Sequence, residues 1–341
     1  MSWWLPHNFA EKRPYLERRA RVIRALRRFF DDSDFTEVDT PILQVCPVMD
    51  THIHAFRTNL KNLDLSQRKT MYLQTSPEFD MKKLLVAGME KIYQICPVFR
   101  NAEGSALHSP EFTLLEWYRV GVDYRRLMDD SVDILRSIAE SVGIQNYTHK
   151  GKTSDPFKEW QRISVCDAFM KFTDIDLALY LDDRLGFSTE VSALGVRVTA
   201  EDSWDDLFHA VMAEKIEPYL GVGVPTILYD YPVSMAALSR RKPDDPRFAE
   251  RFELYVCGVE LANAYSELTD AAEQRARYKA EMALKQELYG ETYPPDEEFF
   301  AALEHGLPES AGIALGVDRL VMLSVGADNI DDVLWAPVQT D

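Results

Sequence analysis

The segment FRNAEGSALHSPEFTLLEWYR, residues 99–119, closes one apolar run with an arginine and opens an alternating strand soon after it. In EFTLLEWY successive side chains point to opposite faces, so Phe112, Glu116 and Tyr118 share one side of the predicted strand. A face that carries a ring, a carboxylate and a phenol suits the stacking of a flat base and the binding of a cation. The alternative is an ordinary amphipathic strand with Glu116 in solvent. What Arg100 holds beside this face is the first question that the sequence raises.

A second strand pattern, FELYVCGVELANAYSEL, predicts a hairpin with a two-residue turn at residues 257–258. With that turn Tyr255 lies opposite Glu260 and Glu253 lies opposite Ala262, so all four side chains face the same way. The two carboxylates are then about 7–8 Å apart between their Cα atoms, which is unfavourable unless a cation lies between them. Oxygen ligands of this kind indicate Mg²⁺ bridging substrate phosphates, and the alternative is two solvated glutamates on an exposed face.

Strict alternation would place Asn263 and Glu267 on the face opposite to Glu260. If these residues serve the same site, the chain needs one extra residue in this strand. We therefore predict a β-bulge between residues 260 and 263.

Near the end of the chain, AGIALGVDRL joins a strand punctuated by glycines to a helix that starts near Val317. Arg319 then lies at a helix N-terminus, where its guanidinium can stack on a base or contact phosphate. The sequence contains no phosphate-binding loop of the GxxxxGK[ST] type, no GxGxxG after a strand, no GxSxG and no HExxH. Scattered arginines and a carboxylate-bound metal would have to hold phosphate. A nucleophile that is already an ionised carboxylate needs no general base, so catalysis can rest on electrostatic clamping.

The composition is that of a globular protein: 341 residues, 46% of them apolar, with a net charge of −18. One basic segment, residues 12–28, carries eight positive charges at the spacing of an amphipathic helix, which suits either a solvated face or an acidic partner. The four cysteines are 50 or more residues apart and form no CxxC pair, so they predict core thiols in a reducing cytoplasm. No apolar run approaches the length of a membrane span, so no membrane partner is expected.

Strand patterns at both ends of the chain enclose a helical middle, which predicts one α+β domain around an antiparallel sheet. The polar segment 146–160 is the expected surface connection into that middle, and strands return at TILYDYP, residues 226–232. We therefore expect a single domain, residues 1–341, with a mostly helical insertion at about 146–225.

These segments together resemble the catalytic domain of class II aminoacyl-tRNA synthetases, in their lysyl branch. DFTEVDTPIL resembles the first motif of that family, FRNAEGSALHSPEF with its following strand the second, and GIALGVDRL the third. FELYVCGVELANAYSELTD is similar to a stretch typical of the lysyl branch. The resemblance covers residues from about 12 to 335. It implies an antiparallel sheet of six or seven strands flanked by helices, and a homodimer formed through the first motif.

The resemblance also implies roles for individual residues. Arg100 would hold the α-phosphate of ATP, Phe112 and Arg319 would sandwich the adenine, and His108 would reach the outer phosphates; Arg100 and Arg319 would be the catalytic pair. Glu253 and Glu260 would bind Mg²⁺. The lysine pocket would be lined by Glu78, Glu116, Tyr118, Asn263, Glu267 and Ala314. Where the second motif has a glutamate this chain has Ala102 followed by Glu103, so that contact is either lost or made by a shifted loop.

The resemblance begins near residue 12, so no anticodon-binding OB domain is expected before it. This arrangement, and the stretches MDTHIHAF and PEFTLLEWYR, resemble the members of the branch that transfer (R)-β-lysine or lysine to a lysine side chain of elongation factor P. Ala314 stands where lysyl-tRNA synthetases have glycine, and one methyl group on a pocket floor can re-seat a substrate. The resemblance thus implies an ATP-dependent ligase with elongation factor P, not tRNA, as acceptor. A truncated lysyl-tRNA synthetase, a free adenylate former, and a weakened ligand-binding paralogue are the alternatives.

Overall fold

The computed structural model describes residues 3–47 and 49–339. Its helices, in chain order, are α1 (Pro6–Asp32), α2 (Glu78–Val86), α3 (Tyr124–Val142), α4 (Val165–Thr173), α5 (Arg184–Ala193), α6 (Trp204–Val211), α7 (Ala271–Tyr289), α8 (Glu297–Gly306) and α9 (Val317–Val325). Its strands are β1 (Thr36–Glu37), β2 (Leu43–Gln44), β3 (Arg57–Lys61), β4 (Gln67–Leu73), β5 (Lys91–Phe99), β6 (Glu111–Val120), β7 (Tyr147–His149), β8 (Lys152–Ser154), β9 (Gln161–Ser164), β10 (Thr226–Pro232), β11 (Phe248–Val256), β12 (Val259–Ser266) and β13 (Ser310–Gly316).

A large central sheet organises the fold, with the strand order β1-β5-β6-β13-β12-β11-β10-β9. The six inner strands are antiparallel to one another. The two short edge strands, β1 and β9, are parallel to the inner strands that they pair with, β5 and β10. The prediction of an α+β fold around an antiparallel sheet of six or seven strands is confirmed, with a total of eight strands in this sheet. The strand predicted over EFTLLEWY lies within β6, and the strand predicted over residues 226–232 forms β10 with the predicted bounds.

The first motif, residues 34–43, contributes only a short strand to the central sheet. Only Thr36–Glu37 joins the central sheet, because Thr40 directs both its backbone N–H and its hydroxyl to the side chain of Gln94, at 3.3 and 3.1 Å. The segment 146–160, expected as an irregular connection, contains the short hairpin of β7 and β8. The middle of the chain is helical as predicted, and its core packs on β10 and β11.

Helices α1, α3 and α9 cover one face of the sheet with a continuous apolar core. A buried ion pair joins two of these helices, because Arg19 of α1 binds Asp318 of α9 and donates to the Thr113 hydroxyl at 2.7 Å. Asp318 in turn accepts the backbone N–H of Thr113 at 2.6 Å, which fixes the start of α9 against β6. The opposite face of the sheet carries the site described below.

None of the four cysteines, all of which lie in the described part of the chain, forms a disulfide, and three of them are buried, as expected for core thiols. Among the helices in the described part of the chain, none has the length and apolar character needed to cross a membrane.

Candidate active site

A row of four polar or small residues crosses the middle of the open sheet face. The register pairs Glu116 on β6 with Ala314 on β13, Ala314 with Asn263 on β12, and Asn263 with Glu253 on β11. Residues paired directly across a ladder point to the same side, so these four side chains share one face. The sheet thus places four residues that are far apart in the sequence along one line.

A second row runs beside the first, two residues away on each strand. It consists of Tyr118, Gly312, Tyr265 and Arg251, which are paired in this order across the same four strands. Gly312 is required here, because a Cβ at this position would lie 2.2 Å from the Tyr118 ring and 2.6 Å from a carboxylate oxygen of Glu267. The absence of a side chain at Gly312 leaves a depression in the sheet face.

The predicted bulge is present, and it explains why the rows are continuous. Tyr255 pairs with Glu260 as predicted, but the register shifts by one at Leu261. The extra residue brings Asn263, not Ala262, opposite Glu253, so the predicted pairing of Glu253 with Ala262 is wrong. The turn at residues 257–258 has positive φ at both positions, as a two-residue hairpin of this type requires.

The open face forms a cavity of about 280 Å³. Six of the residues predicted from the sequence line it: Glu78, Arg100, Glu116, Tyr118, Asn263 and Ala314. The remaining predicted residues, His108, Phe112, Glu253, Glu260, Glu267 and Arg319, are not part of the cavity wall. Arg100 connects the two groups, because it lines the cavity and also lies over the Phe112 ring at 5.2 Å from its centroid.

Glu116 is a buried carboxylate at one end of this cavity. It accepts hydrogen bonds from the Ser76 hydroxyl at 2.6 Å and from the Tyr118 hydroxyl at 2.9 Å. Burial, and then the charge of Glu78, raise the pKa of Glu116 to about 7 despite these bonds. A positively charged ligand would favour the ionised form of this group.

Glu78 and Glu267 lie close to Glu116 and share one internal cation. The ammonium of Lys82 binds Glu78, and it lies 2.5 Å from an oxygen of Glu267. The Tyr265 hydroxyl also donates to Glu78, at 2.6 Å. Burial raises the pKa of Glu267 to about 8, with Lys82 acting in the opposite direction. These contacts hold three carboxylates within one small, mostly enclosed region.

The loop after β5 presents Arg100, and it has Ala102, followed by Glu103, where the second motif has a glutamate. Ala102 adopts a left-handed conformation with φ of 61°, which is unusual for a residue that is not glycine. The turn brings a carboxylate oxygen of Glu103 to 3.9 Å from the Arg100 guanidinium. Glu103 is thus the carboxylate that this loop places beside Arg100.

Arg319 lies in the first turn of α9, as predicted, and its guanidinium is held by three partners. It donates to the backbone carbonyl of Glu260 at 2.8 Å, to that of Leu107 at 3.3 Å, and to Nε2 of His108 at 2.6 Å. Burial, followed by the charges of Arg319 and Arg100, lowers the pKa of His108 to about 4. His108 is therefore a neutral acceptor near pH 7. No aromatic ring stacks on Arg319 within the described residues.

Glu253 and Glu260 share one region of the sheet face but differ in their partners. Glu253 pairs with Arg251 at 2.6 Å and accepts the hydroxyls of Tyr231 at 2.6 Å and Tyr255 at 2.7 Å. Glu260 is half-exposed and lies 3.8 Å from Arg319. Partial loss of solvent around this carboxylate, and then the neighbouring Glu253, raise the pKa of Glu260, which indicates that the two carboxylates repel each other.

Several functional candidates escaped the sequence analysis. Arg251 lines the cavity and donates to Asn263 at 3.0 Å, and Glu217, from the helical middle, lies near Glu253 and Glu260. Burial, then Glu253 and Glu260, raise the pKa of Glu217 to about 7. Alternation in β11 could have indicated Arg251, because it lies two residues before Glu253 on the same face. Glu217 comes from a helical segment with no local motif.

Glu253 and Glu260 bring together only a few of the donors that a metal ion needs. Within residues 3–47 and 49–339 no group of three or more His, Cys, Asp or Glu side chains is arranged to hold a metal ion. Two neighbouring carboxylates that repel each other nevertheless fit a Mg²⁺ ion whose other ligands are phosphate oxygens and water. Glu253 and Glu260 fit an ion that arrives with a nucleotide.

A largely antiparallel sheet flanked by helices, with a polar cavity on one face, is the fold that the resemblance to class II synthetases implied. The family described as tRNA synthetases class II (D, K and N) matches residues 5–340 of the chain. The chain therefore belongs to the class II tRNA synthetase family.

Relatives within this family are similar to the chain over nearly its whole length. The elongation factor P--(R)-beta-lysine ligase of Vibrio cholerae is 39% identical over 339 residues, which cover 98% of each chain. The ligase of the same name from Vibrio parahaemolyticus is 38% identical over 334 residues, again 98% of each chain. That of Proteus mirabilis is 38% identical over 323 residues, 95% of this chain and 94% of the relative. All three of these relatives are ligases of the same name.

Proposed function

We propose that this protein uses ATP to activate (R)-β-lysine or lysine as an adenylate and transfers it to a lysine side chain of elongation factor P. One observation carries the proposal: a single sheet face joins a carboxylate-lined pocket to Arg100 and, beyond it, to Phe112 and two glutamates. The names of the relatives specify the acceptor and the amino acid for those proteins. Family membership supports the adenylate chemistry.

The pocket suits a substrate with ammonium groups. One oxygen of Glu267 and the hydroxyl of Ser239 are buried and have no hydrogen-bond partner among the described residues. Ser239 lines the cavity and pairs with Glu267 through a backbone bridge. Buried acceptors without partners are costly, and a substrate ammonium can donate to them. Glu116 and Glu78 offer further acceptors along the same wall.

The other end of the cavity suits the carboxylate of the amino acid and the α-phosphate of ATP. Arg100 would contact the α-phosphate, and Phe112 with Arg319 would hold the adenine. The backbone carbonyls of Glu260 and Leu107 keep the Arg319 guanidinium in place. His108 would contact the outer phosphates as a neutral donor or acceptor. Glu253 and Glu260 would hold Mg²⁺, which supplies neutralisation of phosphate charge when bound.

The chemistry then has two steps. The substrate carboxylate attacks the α-phosphorus, a new C–O–P linkage forms, and pyrophosphate leaves. In the second step the neutral ε-amine of the acceptor lysine attacks the adenylate carbonyl, the C–O bond to AMP breaks, an amide forms, AMP leaves, and the proton lost by the amine passes to solvent. Arg100 contributes by stabilising the charge that develops on the α-phosphate in both steps. The first step needs no base, because its nucleophile is already ionised.

Dimer formation is part of the proposal. Ile42 and Leu43 follow the proline of the first motif and are 37% and 44% exposed, so they offer an apolar surface to a second copy. The main alternative function is adenylate formation with tRNA as acceptor, which the related motifs would permit.

The acceptor decides between these functions, and one experiment identifies it. The protein is incubated with ATP, Mg²⁺ and either lysine isomer, together with elongation factor P or with tRNA, and the products are read by intact mass. The proposal predicts a gain of one lysyl unit on elongation factor P only. Acylation of tRNA, with no change in the mass of elongation factor P, would contradict it.

A further inference from the structure

Lys82 is a buried cation that none of the roles above uses. It lies on α2, one turn after Glu78, and its side chain is 2% exposed. Its ammonium contacts Glu78 and Glu267 and lies 5.4 Å from the centre of the Tyr265 ring. It does not line the cavity, so it acts from behind the wall that the substrate would touch.

The carboxylates of the pocket outnumber the cation that the chain supplies. Glu78, Glu116 and Glu267 can each carry one negative charge, and Lys82 carries one positive charge. The charges of Glu78 and Glu267 more than offset burial and raise the pKa of Lys82, so the ammonium stays protonated. When all three carboxylates are ionised, two negative charges are left without a counterion; because the pKa values of Glu116 and Glu267 are raised to about 7 and about 8, full ionisation accompanies the binding of the substrate ammonium groups. An amino acid with two ammonium groups supplies two positive charges.

We propose that Lys82 is a positioning residue that sets the charge of the pocket to match a substrate with two ammonium groups. The proposal rests on the proposed function and specifies how its pocket selects. Lys82 binds one oxygen of Glu78 and one of Glu267, and the second oxygen of Glu267 is buried without a hydrogen-bond partner, directly behind Gly312 of the cavity wall. Without Lys82 the three carboxylates would repel each other, and no substrate with two ammonium groups could balance them.

The test compares variants by lysine-dependent exchange of pyrophosphate into ATP. Lys82→Met keeps the volume of the side chain and removes its charge, and Lys83→Met is the matched control. Lys83 is the next residue on α2 and pairs with Asp80 and Asp296, both at 2.9 Å, outside the cavity. We expect Lys82→Met to raise KM for lysine about tenfold or more with kcat changed less than about threefold, and Lys83→Met to leave both close to wild type.

A charge-compensated variant makes the test independent of folding. Lys82→Met with Glu267→Gln removes one positive and one negative charge, so the pocket keeps the net charge that it has in the wild-type protein. Glu267→Gln alone leaves Lys82 in place and too little negative charge for the substrate. We expect the double variant to have a lower KM than either single variant, a coupling that loss of packing would not produce.

Each result decides the proposal. A double variant as poor as the worse single variant, or a Lys82→Met protein with the KM of Lys83→Met, would overturn the role of Lys82 while wild-type exchange leaves the proposed function standing. Absence of lysine-dependent exchange in the wild-type protein would instead remove the proposed function, and this inference with it.

Discussion

Single residues in this pocket combine burial with charge, and Glu116 shows the effect most clearly. Its carboxylate is buried next to Glu78, so its pKa is raised to about 7, well above the value of an exposed glutamate. The folded protein therefore keeps a proton on Glu116 at pH values where the unfolded chain has released it. Folding stability must then fall as the pH rises from about 4.5 towards 7.

This reasoning gives a prediction for the protein without substrate. The melting temperature should decrease between pH 5.5 and pH 8, and Glu116→Gln, which cannot ionise, should weaken that decrease. The measurement is thermal unfolding at several pH values, with saturating lysine as a second condition. Lysine should reduce the decrease in the wild-type protein, because an ammonium stabilises the ionised carboxylate. A Glu116→Gln variant with the same pH slope as wild type would contradict the assignment.

Residue identity predicted some of these features and could not predict others. The faces of Phe112, Glu116 and Tyr118 followed from alternation alone. The Lys82 pair with Glu267 could not be predicted, because it joins residues 185 positions apart through the packing of α2 against the end of β12. The position of Arg100 over Phe112 likewise depends on the path of the loop, which the left-handed turn at Ala102 determines.

At the level of elements, β13 controls the shape of the cavity through one glycine. Gly312 leaves room for the Tyr118 ring and a Glu267 oxygen, which would lie 2.2 and 2.6 Å from an added methyl group. Gly316, four residues later on the same strand, faces only Arg319 side-chain atoms at 3.6 Å or more.

The two glycines therefore provide a matched pair of substitutions. Gly312→Ala should displace Tyr118 or Glu267 and raise KM for lysine about tenfold or more, whereas Gly316→Ala should change KM by less than about threefold. Both variants are measured by pyrophosphate exchange, with circular dichroism to confirm folding. An unchanged KM in Gly312→Ala would show that the substrate does not use this depression.

Strand positions were predictable where the pattern was long, and register was predictable only in part. The parity of Glu260 and Asn263 indicated a bulge, because both could serve one site only with an extra residue between them. The register shift lies at Leu261. Alternation alone does not specify which residue forms the bulge. The strand of the first motif ends at Glu37. Thr40 lies outside the sheet ladder and bonds to the side chain of Gln94 on β5.

On the scale of the whole molecule, the distribution of charge suggests where an acidic acceptor docks. The chain has a net charge of −18, yet α1 exposes Arg21, Arg24 and Arg28, and no ion pair of theirs is present among the described residues. Arg19 on the same helix points inward and belongs to the core. The exposed arginines are thus available for a partner of opposite charge.

Charge reversal tests this docking surface. Arg21→Glu with Arg24→Glu should slow the acylation of elongation factor P about tenfold at low salt and leave pyrophosphate exchange within about twofold of wild type. Arg13→Glu is the control, because Arg13 already pairs with Glu17 at 2.8 Å on the same helix. Equal loss of exchange and acylation would show that α1 supports the catalytic domain and does not bind the acceptor.

The most direct test of the account is amino acid activation itself, measured as lysine-dependent exchange of labelled pyrophosphate into ATP by the wild-type protein and by Arg100→Ala. The account predicts exchange that requires lysine or (R)-β-lysine, and a loss of about 100-fold or more in the variant, with the fold intact by circular dichroism. Exchange at an unchanged rate in Arg100→Ala, or no exchange with either amino acid in the wild type, would contradict it.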